Sequence, residues 1–332
     1  MNRKHPFTLG RRQFMMGSAA LAAGLSGLSG LPGTAGAAAP MLGTKQPGWY
    51  RFKIGGFEAT IVSDGRLNLG SAEAQFPGAQ PTVIKEILDE EFLPVAPMML
   101  EQNALVLNTG DKLVLFDTGM GTAKTFGPES GRLLASLKAA GIDPATIDAV
   151  ILTHAHLDHC WGIMADDGSR NFPNAQIYMS QADFDFWTDE AKLSAGGFLP
   201  SFVEGARRNL LPNRDRMIFV ADGKEVIKGV SAIATPGHTV GHTSYLIESE
   251  GASYLNVGDV VHHYALLFEH PEWEFAFDTD PALAARTRKA LFDRASADRL
   301  TMIGYHFPFP GIGHIRPSGT AFSYVPKAID LS

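Results

Sequence analysis

The 332-residue chain carries 28 basic and 35 acidic side chains, a net charge of −7, with 45% hydrophobic residues and a single cysteine. That acidic balance argues against a nucleic-acid partner, because binding to a phosphate backbone is driven by lysine and arginine. One cysteine allows no intramolecular disulfide, so stability must come from packing and from any bound metal.

In chain order, the first feature is a positive region, Arg3 and Lys4 followed by Gly10-Arg11-Arg12-Gln13-Phe14-Met15. A mildly apolar stretch and the small residues Ala35-Gly36-Ala37 come next. The pattern predicts a cleaved twin-arginine (Tat) signal peptide over residues 1–37, read by the Tat export machinery, and hence a periplasmic or secreted protein. No stable membrane anchor is expected. A span needs roughly 20 consecutive apolar residues, and Ser18, Gly24, Ser26, Gly27, Ser29, Gly30 and Pro32 interrupt this one. Removing 1–37 takes away four positive charges and shifts the net charge from −7 to −11. The remainder, 38–332, shows no repeat, low-complexity tract or charge run and is expected to form one catalytic domain.

Within it, residues 50–63 predict a strand pair broken at Gly55-Gly56, and Pro81 opens a short helix. Strands at 104–107 and 112–116 flank a turn at Asn108-Thr109-Gly110-Asp111. Leu133, Leu134 and Leu137 lie at helical spacing in 130–140, ended by Gly141. Then comes the apolar strand Ala149-Val150-Ile151-Leu152. Further strands are expected near 217–220, 230–234, 244–248 and 253–257, a helix near 281–295 and a last strand near 299–303. Strands and helices alternate without a strict β-α-β rhythm. That fits an α/β fold of two mixed β-sheets flanked by helices.

The chemistry concentrates directly after the strand at 149–152, where His154-Ala155-His156-Leu157-Asp158-His159 places four potential metal ligands in six positions. Alternate residues of an extended segment face the same way, so His154 and His156 can serve one ion. Asp158 and His159, past the strand end, can serve a neighbour. His238 in Thr235-Pro236-Gly237-His238, Asp259 in Val257-Gly258-Asp259 and His306 in Gly304-Tyr305-His306 also stand where an apolar strand gives way to a loop. Cys160 reads as a ligand, a reactive thiol or, more commonly, a small buried filler. His262, His263 and His270 can lie near the mouth of a site, but each read alone is a surface or hydrogen-bonded residue.

With Asp117 in Leu115-Phe116-Asp117-Thr118-Gly119 ahead of it, this series resembles the metallo-β-lactamase superfamily over nearly the whole of 38–332. The resemblance implies a four-layer αβ/βα sandwich with two divalent metal ions. His154, His156 and His238 would hold one, Asp158, His159 and His306 the other, and Asp259 would bridge them. Asp158 and Asp259 are then the catalytic carboxylates, with a metal-bridged hydroxide as nucleophile, while Asp117 and His242 orient ligands from behind. Imidazole and carboxylate donors suit zinc, and manganese, iron or cobalt fit the same set.

Within the superfamily the chain resembles methyl parathion hydrolase-like enzymes, exported dinuclear hydrolases related to lactonases and arylesterases. The matching stretches are Gly56-Phe57-Glu58, Ser63-Asp64-Gly65, Asp117-Thr118-Gly119, Phe126-Gly127-Pro128 and Pro310-Gly311-Ile312-Gly313-His314-Ile315-Arg316. That likeness implies an aromatic pocket with Phe126 and Trp187, Phe198 and Phe202 competing for a third place. One departure is Cys160-Trp161-Gly162, where such enzymes carry a small residue and two glycines; it is expected to put the Trp161 ring beside the metals and narrow the pocket. The expected activity is hydrolysis of small-molecule esters or lactones. A phosphotriesterase on the same site, a thiol-handling oxygenase with one iron and a metal-binding protein that has lost catalysis are the alternatives. A homodimer is compatible with all of these.

Overall fold

Strand alternation builds the layers, and β3 (Met99–Asn108) shows how. Its Leu105 and Leu107 enter a core shared with Ile61, Phe116, Ile151, Tyr245 and Ile303, residues drawn from both sheets. Its Ala104 and Val106 point the other way, into a core that also holds helix residues such as Leu133 and Leu137. Both faces of the strand are therefore buried. The computed structural model describes residues 46–330. The expected signal at 1–37 lies outside them, and the described residues belong to one compact unit.

The first sheet runs β1 (Trp49–Ile54), β2 (Phe57–Asn68), β3, β4 (Leu113–Phe116), β5 (Ala149–Ile151), β6 (Gln176–Ser180) and β7 (Met217–Val220) in sequential order. It is antiparallel as far as β4 and parallel from β4 to β7. The second contains β8 (Glu225–Ile227), β9 (Val230–Ala234), β10 (Thr243–Ser249), β11 (Ala252–Gly258), β12 (Thr301–Gly304), β13 (Ile312–Ser318) and β14 (Ala321–Pro326). Only the β11–β12 pair is parallel there. The helices are α1 (Ala72–Gln75), α2 (Pro81–Glu90), α3 (Leu133–Ala139), α4 (Leu157–Cys160), α5 (Gln181–Thr188), α6 (Leu199–Leu210), α7 (Leu266–Glu269) and α8 (Pro281–Ala297). Two mixed seven-stranded sheets with flanking helices are the α/β sandwich expected from the sequence. Among the described residues no helix is long and apolar enough to cross a membrane.

This topology gathers the loops that matter. β4 and β5 are parallel neighbours, β11 and β12 are parallel neighbours, and β9 runs with them because two antiparallel pairings separate it from β11. The carboxyl ends of β4 and β5 lie together in one sheet, and those of β9, β11 and β12 in the other. Loops after strand carboxyl ends are where open α/β sheets present their ligand sites. A register shift between Asn256 and Gly258 ends β11 just before Asp259, the kind of bulge that re-aims the next side chain.

The strand preceding His306 is not the last one. β13 and β14 follow it, hidden from a periodicity reading by Pro310, Gly311, Gly313 and Pro317, which punctuate edge-side strands without removing them. The strand β6 and helices α5 and α6 also fall in a stretch where the sequence suggested no element.

Candidate metal centre

His154 and His156 leave the end of β5 on extended backbone, and Asp158 and His159 follow on the single turn of α4. All four are buried. His238 arrives on the β9–β10 loop, Asp259 after β11 and His306 after β12. The structure brings together two groups whose ligand atoms lie within 4.8 Å of one another: His154, His156 and His238, and Asp158, His159, Asp259 and His306.

The centre of the arrangement is Asp259. Its Oδ2 lies 3.7 Å from His154 Nε2, 3.2 Å from His159 Nε2, 3.5 Å from His238 Nε2 and 3.1 Å from His306 Nε2. It therefore touches members of both groups. Asp158 Oδ2 stands 3.4 Å from the Nε2 of both His159 and His306. The rings of His154, His156 and His238 form a near-equilateral triangle, with centroids 4.6–4.8 Å apart.

Each half of the site is oriented from behind. His159 Nδ1–H donates to Asp117 Oδ2 at 3.0 Å, and the same carboxylate accepts from the backbone N–H of Thr153 at 2.8 Å. Asp117 adopts a left-handed backbone, φ 60°, uncommon for a residue with a Cβ though least so for Asp and Asn. His238 Nδ1–H donates to Asp278 Oδ1 at 2.8 Å and His306 Nδ1–H to the Glu101 carbonyl at 2.7 Å. With Nδ1 protonated by these acceptors, the Nε2 lone pairs turn inward. His242 stays outside the donor groups: its Nε2 accepts the Asp259 backbone N–H at 2.9 Å and its Nδ1 meets Thr235 Oγ1 at 2.8 Å. Gly258 permits this approach. At φ +53° it holds a conformation that favours glycine, and a Cβ there would stand 2.6 Å from His242 Nε2.

The donor chemistry fits divalent cations. The Nε2 atoms of His154, His156, His159 and His238 and the Oδ1 of Asp259 are buried without a hydrogen-bond partner, a costly condition that coordination relieves. Burial holds His154, His156 and His238 well below the usual imidazole range, so they are neutral donors. Burial acts the same way on His159, but the carboxylates of Asp259, Asp158 and Asp117 outweigh it and hold that imidazole well above its ordinary value. At Asp259 burial opposes the charge, and His159, His306 and His262 outweigh it. Buried carboxylates at this density require positive charge, which divalent ions can supply in place of protons.

His262, expected only as one of three histidines that can lie near the mouth of a site, joins the cluster, its ligand atom within 4.8 Å of those of His238 and Asp259. It is 2% exposed, stacks on Phe275 with centroids 3.8 Å apart, and directs Nε2 to within 3.2 Å of Asp259 Oδ2. Both its ring nitrogens lack hydrogen-bond partners. His263 instead accepts the backbone N–H groups of Ala265 and Leu266, and His270 pairs with Glu272 at the surface. Cys160 is buried, its thiol directed at the Ala155 carbonyl, and so behaves as the filler reading expects.

The cavity over the donors measures about 20 Å³, room for about one water. Apolar side chains line it: Leu67, Leu69, Phe126, Phe202, Phe275 and Phe277 among them. Phe126 and Phe202 both line the cavity, and Phe198 packs against Phe202 with centroids 4.9 Å apart. Two expectations need correction. Trp187 is 0% exposed and meets the outer side of the His156 ring edge-on at 4.8 Å, a core contact outside the cavity lining. Trp161 does not narrow the pocket either, because its indole turns away onto α6, over the bare Cα of Gly205. Phe275, Phe277 and Asp278 went unnoticed because they lie on a loop between α7 and α8 with no periodicity to read.

Comparison with known proteins agrees with this geometry. A family model described as the metallo-beta-lactamase superfamily matches residues 99–306. An N-acyl homoserine lactonase of Bacillus sp is 30% identical over 160 residues, 48% of this chain and 56% of that protein. The probable metallo-hydrolase YqgX of Bacillus subtilis (strain 168) is 29% identical over 171 residues, 51% of this chain and 69% of that one. The chain thus spans about half the length of the first of these curated relatives. Among solved structures, AidC, a dizinc quorum-quenching lactonase in complex with the product N-hexanoyl-L-homoserine, superposes with a TM-score of 0.80 at 28% identity, covering 85% of this chain and 98% of that one. Hydrolase AbOPH superposes with a TM-score of 0.80 at 30% identity, covering 86% and 100%.

Proposed function

We propose, from the premise that the chain belongs to the metallo-β-lactamase superfamily, that this metal-dependent hydrolase opens small lactones and esters with two divalent ions, zinc foremost. The observation that carries the reading is the position of Asp259 Oδ2, within 3.1–3.7 Å of imidazole nitrogens from both donor groups. The named lactonases among its relatives and structural neighbours support lactones as the substrate class.

His154, His156 and His238 would hold one ion, Asp158, His159 and His306 the other, with Asp259 shared. Bound there, divalent ions polarise a carbonyl and bring the pKa of water down to about 7. The chain's own contribution is orientation and exclusion. Asp117, Asp278 and the Glu101 carbonyl fix the imidazoles, so little reorganisation accompanies reaction. Phe126, Phe202, Phe275 and Phe277 keep water out and offer faces to an apolar group. His262 faces the reacting space and in either neutral tautomer has one N–H to donate to a developing oxyanion. No lysine or arginine lines the cavity, which disfavours polyanionic substrates.

The test is a hydrolysis screen of the metal-loaded protein together with elemental analysis. About two ions per chain and a higher kcat/KM on lactones and aryl esters than on phosphotriesters, cephalosporins or RNA are expected. At most one ion after reconstitution sinks the dinuclear reading, and preference for a phosphotriester reassigns the substrate on the same site. For residues 1–37, export by the twin-arginine route is likewise proposed: changing both Arg11 and Arg12 to lysine should leave unprocessed precursor in the cytoplasm, and normal processing would refute it.

A further inference from the structure

Asp183 belongs to none of the donor groups, yet it is fully buried in the first turn of α5, beside the site. Its Oδ2 accepts the backbone N–H of Ala155 at 2.8 Å, and its Oδ1 accepts that of Gly241 at 2.9 Å. Ala155 lies between His154 and His156. Gly241 lies three residues after His238 and directly before His242. One carboxylate thus holds the ligand loop of the first sheet and the ligand loop of the second. The approach is close: a Cβ on Gly241 would stand 2.4 Å from Ser180 Oγ and 2.5 Å from Asp183 N. One helical turn further along the same face, Trp187 braces the His156 ring.

We propose that Asp183 is a positioning residue that sets the distance between the His154–His156 pair and His238, and so the affinity of the ion site those three form. The proposal rests on reading the triad as an ion site. A carboxylate suits the task because each oxygen can accept one charge-assisted hydrogen bond from each loop. An amide cannot do so. With one carbonyl oxygen and one NH2, asparagine satisfies one loop and turns a donor toward the N–H of the other. Nothing else among the recorded side-chain hydrogen bonds spans Ala155 and Gly241. The segment after β5 is also tied to β10, by the Thr243 backbone N–H on the Thr153 carbonyl at 2.9 Å and the Tyr245 hydroxyl on the Leu152 carbonyl at 2.9 Å.

The experiment uses the full chain carrying Asp183→Asn, with Gly241→Ala as a second variant that wedges the same contact apart from the other side. Zinc affinities are resolved by chelator competition, and the cobalt-substituted protein is followed by its visible spectrum. One of the two affinities should weaken by about 10–100-fold, the range for outer-shell partners, with a changed cobalt band for that site, while the other affinity stays within about twofold. Asp64→Asn is the control. That buried carboxylate accepts the backbone N–H groups of Met120, Gly131 and Leu133, away from the triad, and its loss should lower Tm without moving either affinity. Equal weakening of both ions, or a lower Tm with both affinities intact, overturns the role of Asp183. A wild-type chain that binds two ions with neither affected by the variants removes this proposal alone, whereas a wild-type chain that binds none removes the ion-site reading and this proposal with it.

Discussion

In the half of the site built on β5, four donors arrive within six consecutive residues, His154 to His159; in the half built on β9, β11 and β12, His238, Asp259 and His306 arrive from three separate strand ends. The first half is local. Once the short strand and the turn of α4 form, its geometry depends on a few anchors, Asp117 and Thr153 foremost. The second half is set by sheet register, and each of its donors has an anchor of its own: Asp278 for His238, the Glu101 carbonyl for His306 and His242 for the Asp259 backbone. A compact motif shares its supports, while a dispersed one multiplies them.

The largest effect should come from Asp259, the member of the dispersed half that both ions would share. Asp259→Ala should lower activity by more than about 100-fold, beyond the upper end of outer-shell changes, and should reduce both ions in elemental analysis. Retention of near-normal turnover with two ions bound would show that the ions do not share Asp259.

Next come the anchors, one from each half, where the two ions should separate. Asp117→Asn should weaken one ion and Asp278→Asn the other, each by about 10–100-fold, as read by stepwise chelator titration. Because the two anchors share no partner among their recorded hydrogen bonds, the double variant should show nearly additive losses. Strong non-additivity would mean that the site responds as one rigid unit.

The smallest effect concerns a buried carboxylate that touches neither half, Asp64. Burial pushes the Asp64 carboxyl up to about 6, against the backbone N–H groups of Met120, Leu133 and Gly131 that pull it down. With the folded value above the unfolded one, the native state holds the extra proton between about pH 4 and 6, so stability from this group falls as pH rises through that window. The Tm advantage of the wild-type chain over Asp64→Asn should therefore shrink by a few °C from about pH 4 to above about pH 6. A widening advantage would reverse the sign of the argument and imply that the backbone donors outweigh burial.

The same contrast explains what could be read in advance. His154 to His159 are legible because a motif and an apolar strand coincide; His238, Asp259 and His306 are legible because each follows an apolar strand and a glycine. The sandwich follows from the same strands. Asp278, Asp183 and the Glu101 carbonyl were not legible, since an orienting partner is defined by where packing delivers it, and no local pattern marks a carboxylate that will meet a histidine 40 residues away. His262 was visible only as one histidine of an adjacent pair, and the stacking on Phe275 that draws it inward is a tertiary contact. Trp187 and Trp161 differ from expectation for a related reason: neither a resemblance, as for Trp187, nor a place two residues after a ligand, as for Trp161, tells on which side of an imidazole a large ring will pack.

Phe277 stacks on Phe202 at 5.9 Å and meets Phe126, Phe198 and Phe275 at 5.7, 5.4 and 5.8 Å. The space beneath measures about 20 Å³, and because each of these rings contacts Phe277, displacing one disturbs the packing of the rest. Two substrates with the same reacting carbonyl should then differ in rate with the bulk each must fit beside Phe277, a selection made by packing ahead of any chemistry at the donors.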